Sequence, residues 1–417
     1  MTRAPGLPPD PGTRELKRRL RQAERRRTLR AVALVVPAFA FLFVSFVVPI
    51  VSLLTLGVRN PEVPEVLPRT AATIRRWDGS RLPGEDVLVA FVADLREAEE
   101  AKTVGRAGKR LNTDISGFRS LLLRTSRELP PLETSPAQLL DQLITLDERW
   151  GQIEYWGAIK RAAQPITDFY LLAGLDRTRD VRGHIGKVPD ENAIYVDVIA
   201  RTFWISFVVT LICLGLGYPI AYLLANLPTR LSNLLMIMVL LPFWTSLLVR
   251  TTAWVVLLQP EGIVNDVAVS LGILNRRVTL VHNRTGVYVA MVHILLPFMI
   301  LPIYSVMKGI SPSHMRAAAS LGAGPVLAFW KVYLPQSLPG VAAGTLLVFI
   351  LGLGYYITPA LVGGAGDQML SYFIAFFTNQ TLNWGMAAAL SVILLAIVLV
   401  MFAVFQRVVG IDRLKLS

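Results

Sequence analysis

One cysteine, Cys213, occurs in 417 residues, and it sits inside an apolar run. No disulfide and no cysteine-built metal site can therefore form within one chain. Histidine is also scarce: His184, His282, His293 and His314 are scattered without ligand spacing. His293 lies within an apolar stretch, where a packed or pore-facing imidazole fits better than a metal ligand. No glycine loop ending in Lys-Ser or Lys-Thr is present. That motif cradles phosphates, so the chain should not hydrolyse ATP itself. Acid is the most unevenly spread deficit. Of 29 Asp and Glu, 22 lie between residues 59 and 198, and only Glu261, Asp266, Asp367 and Asp412 follow.

What the chain has instead is hydrocarbon. It is 53% hydrophobic with a mean hydropathy of +0.51. That is too apolar for a typical soluble protein and fits a helical protein crossing a membrane several times. The net charge of +13 does not argue for nucleic acid, because the basic excess flanks apolar runs, where headgroups and topology account for it. Asn283-Arg-Thr and Asn379-Gln-Thr match a glycosylation pattern by chance if the protein is bacterial.

Residues 1–30 carry ten Lys and Arg directly before an apolar run, a mark of the cytoplasmic side. The run at 31–58 contains Pro37 and Pro49 and reads as a retained first membrane helix. Residues 59–198 hold 20 basic and 22 acidic residues and read as aqueous. Helical periodicity shows at Leu88, Phe91 or Val92 and Leu95, and again at Leu139, Leu143, Leu146, Trp150 and Ile153 after Ser135-Pro136. This predicts an α-helical insertion of a few helices outside the membrane, with 80–180 able to fold alone. A docking platform for another protein and a simple embellishment both remain open for it. Five more spans are expected at 202–227, 231–258, 286–307, 338–361 and 384–405, with outer loops at 259–285 and 362–383. The last tail, 411–417, carries Arg413 and Lys415 and falls inside.

A polar break at 311–340 separates the fourth and fifth spans. Ser311 can cap a helix, Pro312 suits its first position, and Gly322 can end it in the left-handed conformation. Pro325 can start a second helix, which Pro335 is expected to close. Ala317, Ala318, Gly322, Val332, Leu334 and Pro335 give this stretch a form that resembles the cytoplasmic "EAA" loop of ABC importer permeases. Arg316 stands where that pattern has Glu, so any charge pair made by the family's glutamate is altered.

Residues 199–410 as a whole resemble the spermidine/putrescine-type branch of binding-protein-dependent ABC permeases. The likeness rests on Gly217-Tyr-Pro-Ile-Ala-Tyr, Pro242-Phe-Trp-Thr-Ser, Arg250-Thr-Thr-Ala-Trp254, the 311–335 loop and Thr358-Pro-Ala-Leu-Val-Gly-Gly364. It does not extend to 59–198. The resemblance implies an all-α fold of six transmembrane helices in a bacterial inner membrane, with both termini cytoplasmic. It further implies a second permease subunit, a separate ATPase dimer carrying ATP and Mg2+, and a periplasmic solute-binding protein. This chain would bind no cofactor and catalyse nothing. Met315, Arg316, Ala317, Ala318, Gly322, Leu334 and Pro335 would then meet the ATPase. Trp244, Thr245, Ser246, Arg250, Trp254 and Tyr355 are the polar or aromatic candidates for the solute pathway, since polar groups within spans usually face a cavity or partner. The competing class is a secondary transporter or a membrane receptor with an outer sensing domain. No inner segment is long enough for a signalling domain, and secondary transporters usually carry more spans.

Overall fold

The computed structural model describes Arg27 and residues 32–131, 135–180 and 183–409. The basic stretch 1–30, Arg27 apart, and the tail 411–417 lie outside the described residues. The chain divides into two units, one ending at Thr55 and one starting at Leu56.

The first unit holds the apolar helix α1, Val32–Thr55. It widens into a five-residue turn at Phe43–Val47. Pro49 accounts for this: it has no N–H to give and its ring crowds the carbonyl of Ser45.

The second unit begins with the aqueous segment. Among the described residues it holds eight α-helices: α2 (Glu62–Val66), α3 (Pro68–Ile74), α4 (Glu85–Glu100), α5 (Val104–Leu111), α6 (Phe118–Arg127), α7 (Pro136–Leu146), α8 (Ile153–Ala162) and α9 (Phe169–Ala173). A small antiparallel hairpin follows, β1 (Arg177–Arg179) with β2 (Ile185–Lys187), which the helical pattern did not announce. Phe91, Phe118, Trp150 and Trp156 are fully buried at the centre. Ring centroids lie 5.0 Å apart for Phe91–Trp150, 5.1 Å for Trp150–Trp156 and 6.0 Å for Phe118–Trp150. The fragment 80–180, expected to fold alone, leaves out part of this core. Val63, Leu67, Ala71 and Ile74 of α2 and α3 belong to the same core, whose last members are Ala162 and Ala163. The two ends of this domain clasp each other. Thr167 N–H donates to Val58 O at 2.8 Å, and Asn60 N–H to Pro165 O at 3.0 Å.

The remaining helices include the other long apolar ones. They are α10 (Tyr195–Asn226), α11 (Thr229–Leu240), α12 (Leu247–Leu257), α13 (Ile263–Ser270), α14 (Arg284–Lys308), α15 (Pro312–Ser320), α16 (Pro325–Leu353), α17 (Ile357–Val362), α18 (Leu370–Asn379) and α19 (Trp384–Val409). Helices α10, α14 and α16 pack together as the centre of the bundle. Small residues let them approach closely: a Cβ at Gly344 would lie 3.0 Å from Met299 O, and one at Gly340 2.9 Å from Pro302 O.

Three expectations about the spans need correction. The third span is not straight: its two parts, Thr229–Trp244 and Leu247–Leu257, meet at 96°. Pro242 tightens the turn at Leu241–Trp244, Thr245 is extended, and the Ser246 hydroxyl then caps α12 by accepting from Val249 N–H at 3.2 Å. The described residues thus hold five long apolar helices plus one bent pair, six spans only if the pair counts as one. Pro335 closes nothing, because α16 runs through it behind a wide turn at Phe329–Tyr333. That turn absorbs the missing donor as the one before Pro49 does. The fifth span ends early, at Leu353, and Gly354-Tyr-Tyr356 separates it from α17. The two loops expected outside, 259–285 and 362–383, carry helices, α13 and the aromatic-rich α18.

The aqueous domain is seated on α19 through α9. The Tyr170 ring lies flat on Gly385, where a Cβ would come within 2.5 Å of it. Arg110, buried, stacks over Phe169 at 4.3 Å and donates to Asn60 Oδ1 at 2.7 Å. Lys109 Nζ reaches Leu382 O at 3.1 Å.

Candidate functional site

The polar break folds as its local chemistry dictates. Ser311 Oγ accepts from Ser313 N–H, and Pro312 occupies the first turn of α15. Gly322 ends the helix at φ +84°. Ala323 N–H bonds Ala318 O and Gly322 N–H bonds Ala319 O, each at 3.0 Å, the paired reversal that a left-handed residue permits. Met315 is half-buried against the bundle and Ala318 is buried, while Arg316, Ala317 and Gly322 are exposed. Arg316 makes no ion pair among the described residues, so the charge that replaces glutamate faces outward unpaired.

Between α15 and the start of α16 lies an open groove of about 530 Å³. Ala317, Ala318, Leu321, Leu327, Ala328 and Val332 form its walls, mostly apolar. His314 Nδ1 and Gln336 Oε1, 2.7 Å apart, tie the two helices together at one end. Leu334 and Pro335, expected beside the docking helix, lie on α16 as its wide turn closes. Leu321 on the groove wall is 89% exposed, and Val326 and Trp330 in the first turns of α16 are exposed as well. An apolar rim around a shallow groove is the usual face of a protein contact.

The pathway candidates separate into two sets. Trp244, Thr245 and Ser246 form the bend of the third span, with Trp244 78% exposed. Arg250 and Trp254 instead lie on α12 and Tyr355 follows α16, beside residues from α14 and α17. Trp254 Nε1–H donates to His293 Nδ1 at 3.1 Å. Thr251 and Thr358 hydroxyls lie 3.1 Å apart. Arg250 Nε and Nη1 are buried and have no hydrogen-bond partner. Trp254 is therefore held inside the bundle by its indole N–H.

A family model described as binding-protein-dependent transport system inner membrane component matches residues 217–409. The spermidine/putrescine transport system permease protein PotB of Haemophilus influenzae is 33% identical over 216 residues, which is 52% of this chain and 76% of that protein. The chain belongs to the binding-protein-dependent transport permeases. The inner membrane ABC transporter permease protein YdcU of Escherichia coli K12 is similar too, 33% identical over 239 residues, 54% of this permease and 75% of the relative. Among solved structures, a chain from a bacterial alginate ABC transporter in complex with alginate pentasaccharide-bound periplasmic protein shares 17% identity at a TM-score of 0.44. It covers 52% of this permease and 78% of that chain. The family match starts after the clasped aqueous domain and does not describe it.

The permease is thus an all-α, multi-pass membrane protein of the ABC type. Some of its site residues escaped sequence reasoning. Leu321, Val326 and Trp330 read as ordinary apolar residues near a span, and only their exposure beside the Gly322 turn marks them. Thr251, Thr358 and His293 are each unremarkable alone; Thr251 bonds Thr358 and His293 bonds Trp254, pairings that spacing does not show.

Proposed function

We propose that this permease is one of two membrane subunits of an ATP-driven importer in a bacterial inner membrane. ATP and Mg2+ act on a separate ATPase dimer, and a periplasmic binding protein delivers a small organic solute, polyamine-like or related. Both termini and the 311–335 loop face the cytoplasm, and residues 59–198 face the periplasm. The α15–Gly322–α16 groove receives a projecting part of the ATPase. Helix α15 follows α14 after three residues and is bonded to α16 at His314–Gln336. Force on α15 therefore reaches both helices, and the spans shift between outward-open and inward-open arrangements.

The observation that carries this reading is the exposed apolar groove beside an exposed left-handed glycine, at one end of the bundle. Purification of the tagged permease after mild detergent extraction tests it. An ATPase subunit is expected to co-purify and to be lost with Gly322→Asp at normal membrane levels of the permease. Reporter fusions at Ser126 and Ala323 test the topology. A cytoplasmic signal at Ser126 would overturn it.

A further inference from the structure

A cavity of about 590 Å³ lies beside the clasp of the aqueous domain, lined by two of the clasp residues, Val58 and Thr167. The end of α8, the helix α9 and strand β1 complete its wall. Three cations line it, Lys160, Arg161 and Arg179, with two carboxylates, Asp168 and Asp180. The carboxylates have partners: Asp168 is bonded to Arg179 and Asp180 to His184. Arg161 Nη2 stands 3.5 Å from Asp114 Oδ1, but its Nε is enclosed without an acceptor. Lys160 forms no ion pair among the described residues. Its ammonium donates to Trp77 O, which uses one of three N–H groups. The side of the cavity formed by α8 is thus short of one negative charge.

The opposite side reaches membrane depth. A Cβ at Gly174, the residue after α9, would lie 2.7 Å from Ile393 Cδ1 and 3.2 Å from Leu390 Cδ2. Ile393 stands about 13 Å along α19 from Trp384 at ~1.5 Å per residue. The 26 residues of α19 measure about 39 Å, against about 30 Å of hydrocarbon, so at most about 9 Å of this helix precedes the apolar layer. The Gly174 end of α9 therefore passes the boundary of the acyl chains, and it carries Leu171 and Leu172 of the cavity wall. Lys160 and Arg161 instead follow Ile159, a member of the aqueous core. The rim is apolar as well. Of the large apolar residues exposed within 59–193, Val89, Ile166, Leu175 and Ile185, all but Val89 belong to this corner. Ile166 lines the cavity, Leu175 links α9 to β1, and Ile185 is the cross-strand partner of Arg179.

We infer that this cavity takes the headgroup of an anionic phospholipid from the leaflet that adjoins the aqueous domain. The phosphodiester oxygens accept from Lys160 and Arg161, and the acyl chains leave over Ile166 and Leu172 into the hydrocarbon. A soluble anion would satisfy the charges but leave the apolar rim in water. A lipid without net charge would cover the rim but leave Lys160 uncompensated. The inference needs α19 to span the membrane and does not depend on the direction of transport or on the ATPase.

The test uses the full-length permease purified in detergent and titrated with dioleoylphosphatidylglycerol, bound lipid being counted by native mass spectrometry. The wild type is expected to fill one site ahead of any others. Lys160→Gln is expected to weaken that site about tenfold, the worth of one charge-assisted hydrogen bond, with unchanged circular dichroism. Ile166 is 70% exposed, so Ile166→Asp keeps the fold while it sets a carboxylate against the incoming lipid. It is expected to weaken the site at least as much, and it decides the matter if Lys160→Gln does not fold. Dioleoylphosphatidylcholine is expected to bind more weakly than phosphatidylglycerol and alike to wild type and Lys160→Gln. Equal phosphatidylglycerol binding by the wild type and the folded variants overturns the inference, as does equal binding of the two lipids by the wild type. Displacement of the lipid by equimolar inorganic phosphate overturns it too, because the site would then serve a free anion.

Discussion

Substitution at Gly322 separates two contributions that coincide in the native loop. The residue sits at φ +84°, and a Cβ built there meets nothing within 4 Å. Inside the chain the cost of a side chain is therefore conformational alone. For Ala it is about 1 kcal/mol, roughly a fivefold loss of the formed turn. Asn and Asp visit the left-handed region more readily, so each costs less than Ala within the chain. Toward an ATPase seated in the groove the order reverses, since bulk and charge now decide. Ala adds one methyl, Asn adds bulk, and Asp adds bulk and a charge. Thermal unfolding of the purified permease is expected to rank Gly322→Ala below Gly322→Asn and Gly322→Asp. ATPase association by pull-down is expected to rank Gly322→Ala nearest the wild type and Gly322→Asp lowest. If association followed the unfolding order, strain alone would explain it and the groove argument would fail. If Gly322→Asp bound the ATPase normally, the docking site would lie elsewhere.

Other outcomes follow from the aqueous domain. Residues 58–167 expressed alone are expected to give a helical, cooperatively unfolding protein by circular dichroism, whereas 80–180 lacks α2 and α3 and is not. Equal behaviour of the two would contradict the shared core. Gly385→Ala places a methyl 2.5 Å from the Tyr170 ring and is expected to destabilise by about 1–3 kcal/mol. Tyr170→Leu in the same chain should recover part of that loss, and strict additivity of the two would sink the contact. Burial raises the Asp94 pKa above the usual carboxylate range, against hydrogen bonds from Thr70 N–H at 2.7 Å and its hydroxyl at 2.8 Å. The folded domain then holds that proton where the unfolded chain has released it. Through this group stability rises as pH falls through the raised pKa and is lost as pH rises above it. Asp94→Asn keeps an oxygen for both Thr70 donors, so it is expected to flatten that part of the pH profile without loss at pH 7. An unchanged slope in urea titrations would refute the assignment.

Legibility from sequence followed the range of the interaction. Ser311, Pro312 and Gly322 act within four residues of themselves, so α15 and its turn could be read directly. Pro335 misled because the rule that proline ends a helix ignores the wide turn at Phe329–Tyr333 that accommodates it. The break in the third span was missed although Pro242 and Ser246 mark it, because the mostly apolar residues on both sides read as one continuous run. Val63, Leu67 and Ile74 join the aqueous core through contacts of α2 and α3 with α4, α5 and α8, which local periodicity cannot show. Arg250 was singled out as a polar residue in a span. That its Nε and Nη1 lack a hydrogen-bond partner among the described residues could be seen only in the structure.

The clasp of Val58 with Thr167 and of Asn60 with Pro165 also changes the statistics of the chain. An open tether of this length would make its ends search a large volume before they met. Each doubling of a flexible loop adds about 0.6 kcal/mol to the entropy of closure. Once the domain has folded, that search is over, because entry and exit lie side by side at hydrogen-bonding distance. To the residues that flank it, a domain of many helices is then no longer than a hairpin turn. Another compact domain with equally close ends could be spliced between Val58 and Thr167 without lengthening the path between them.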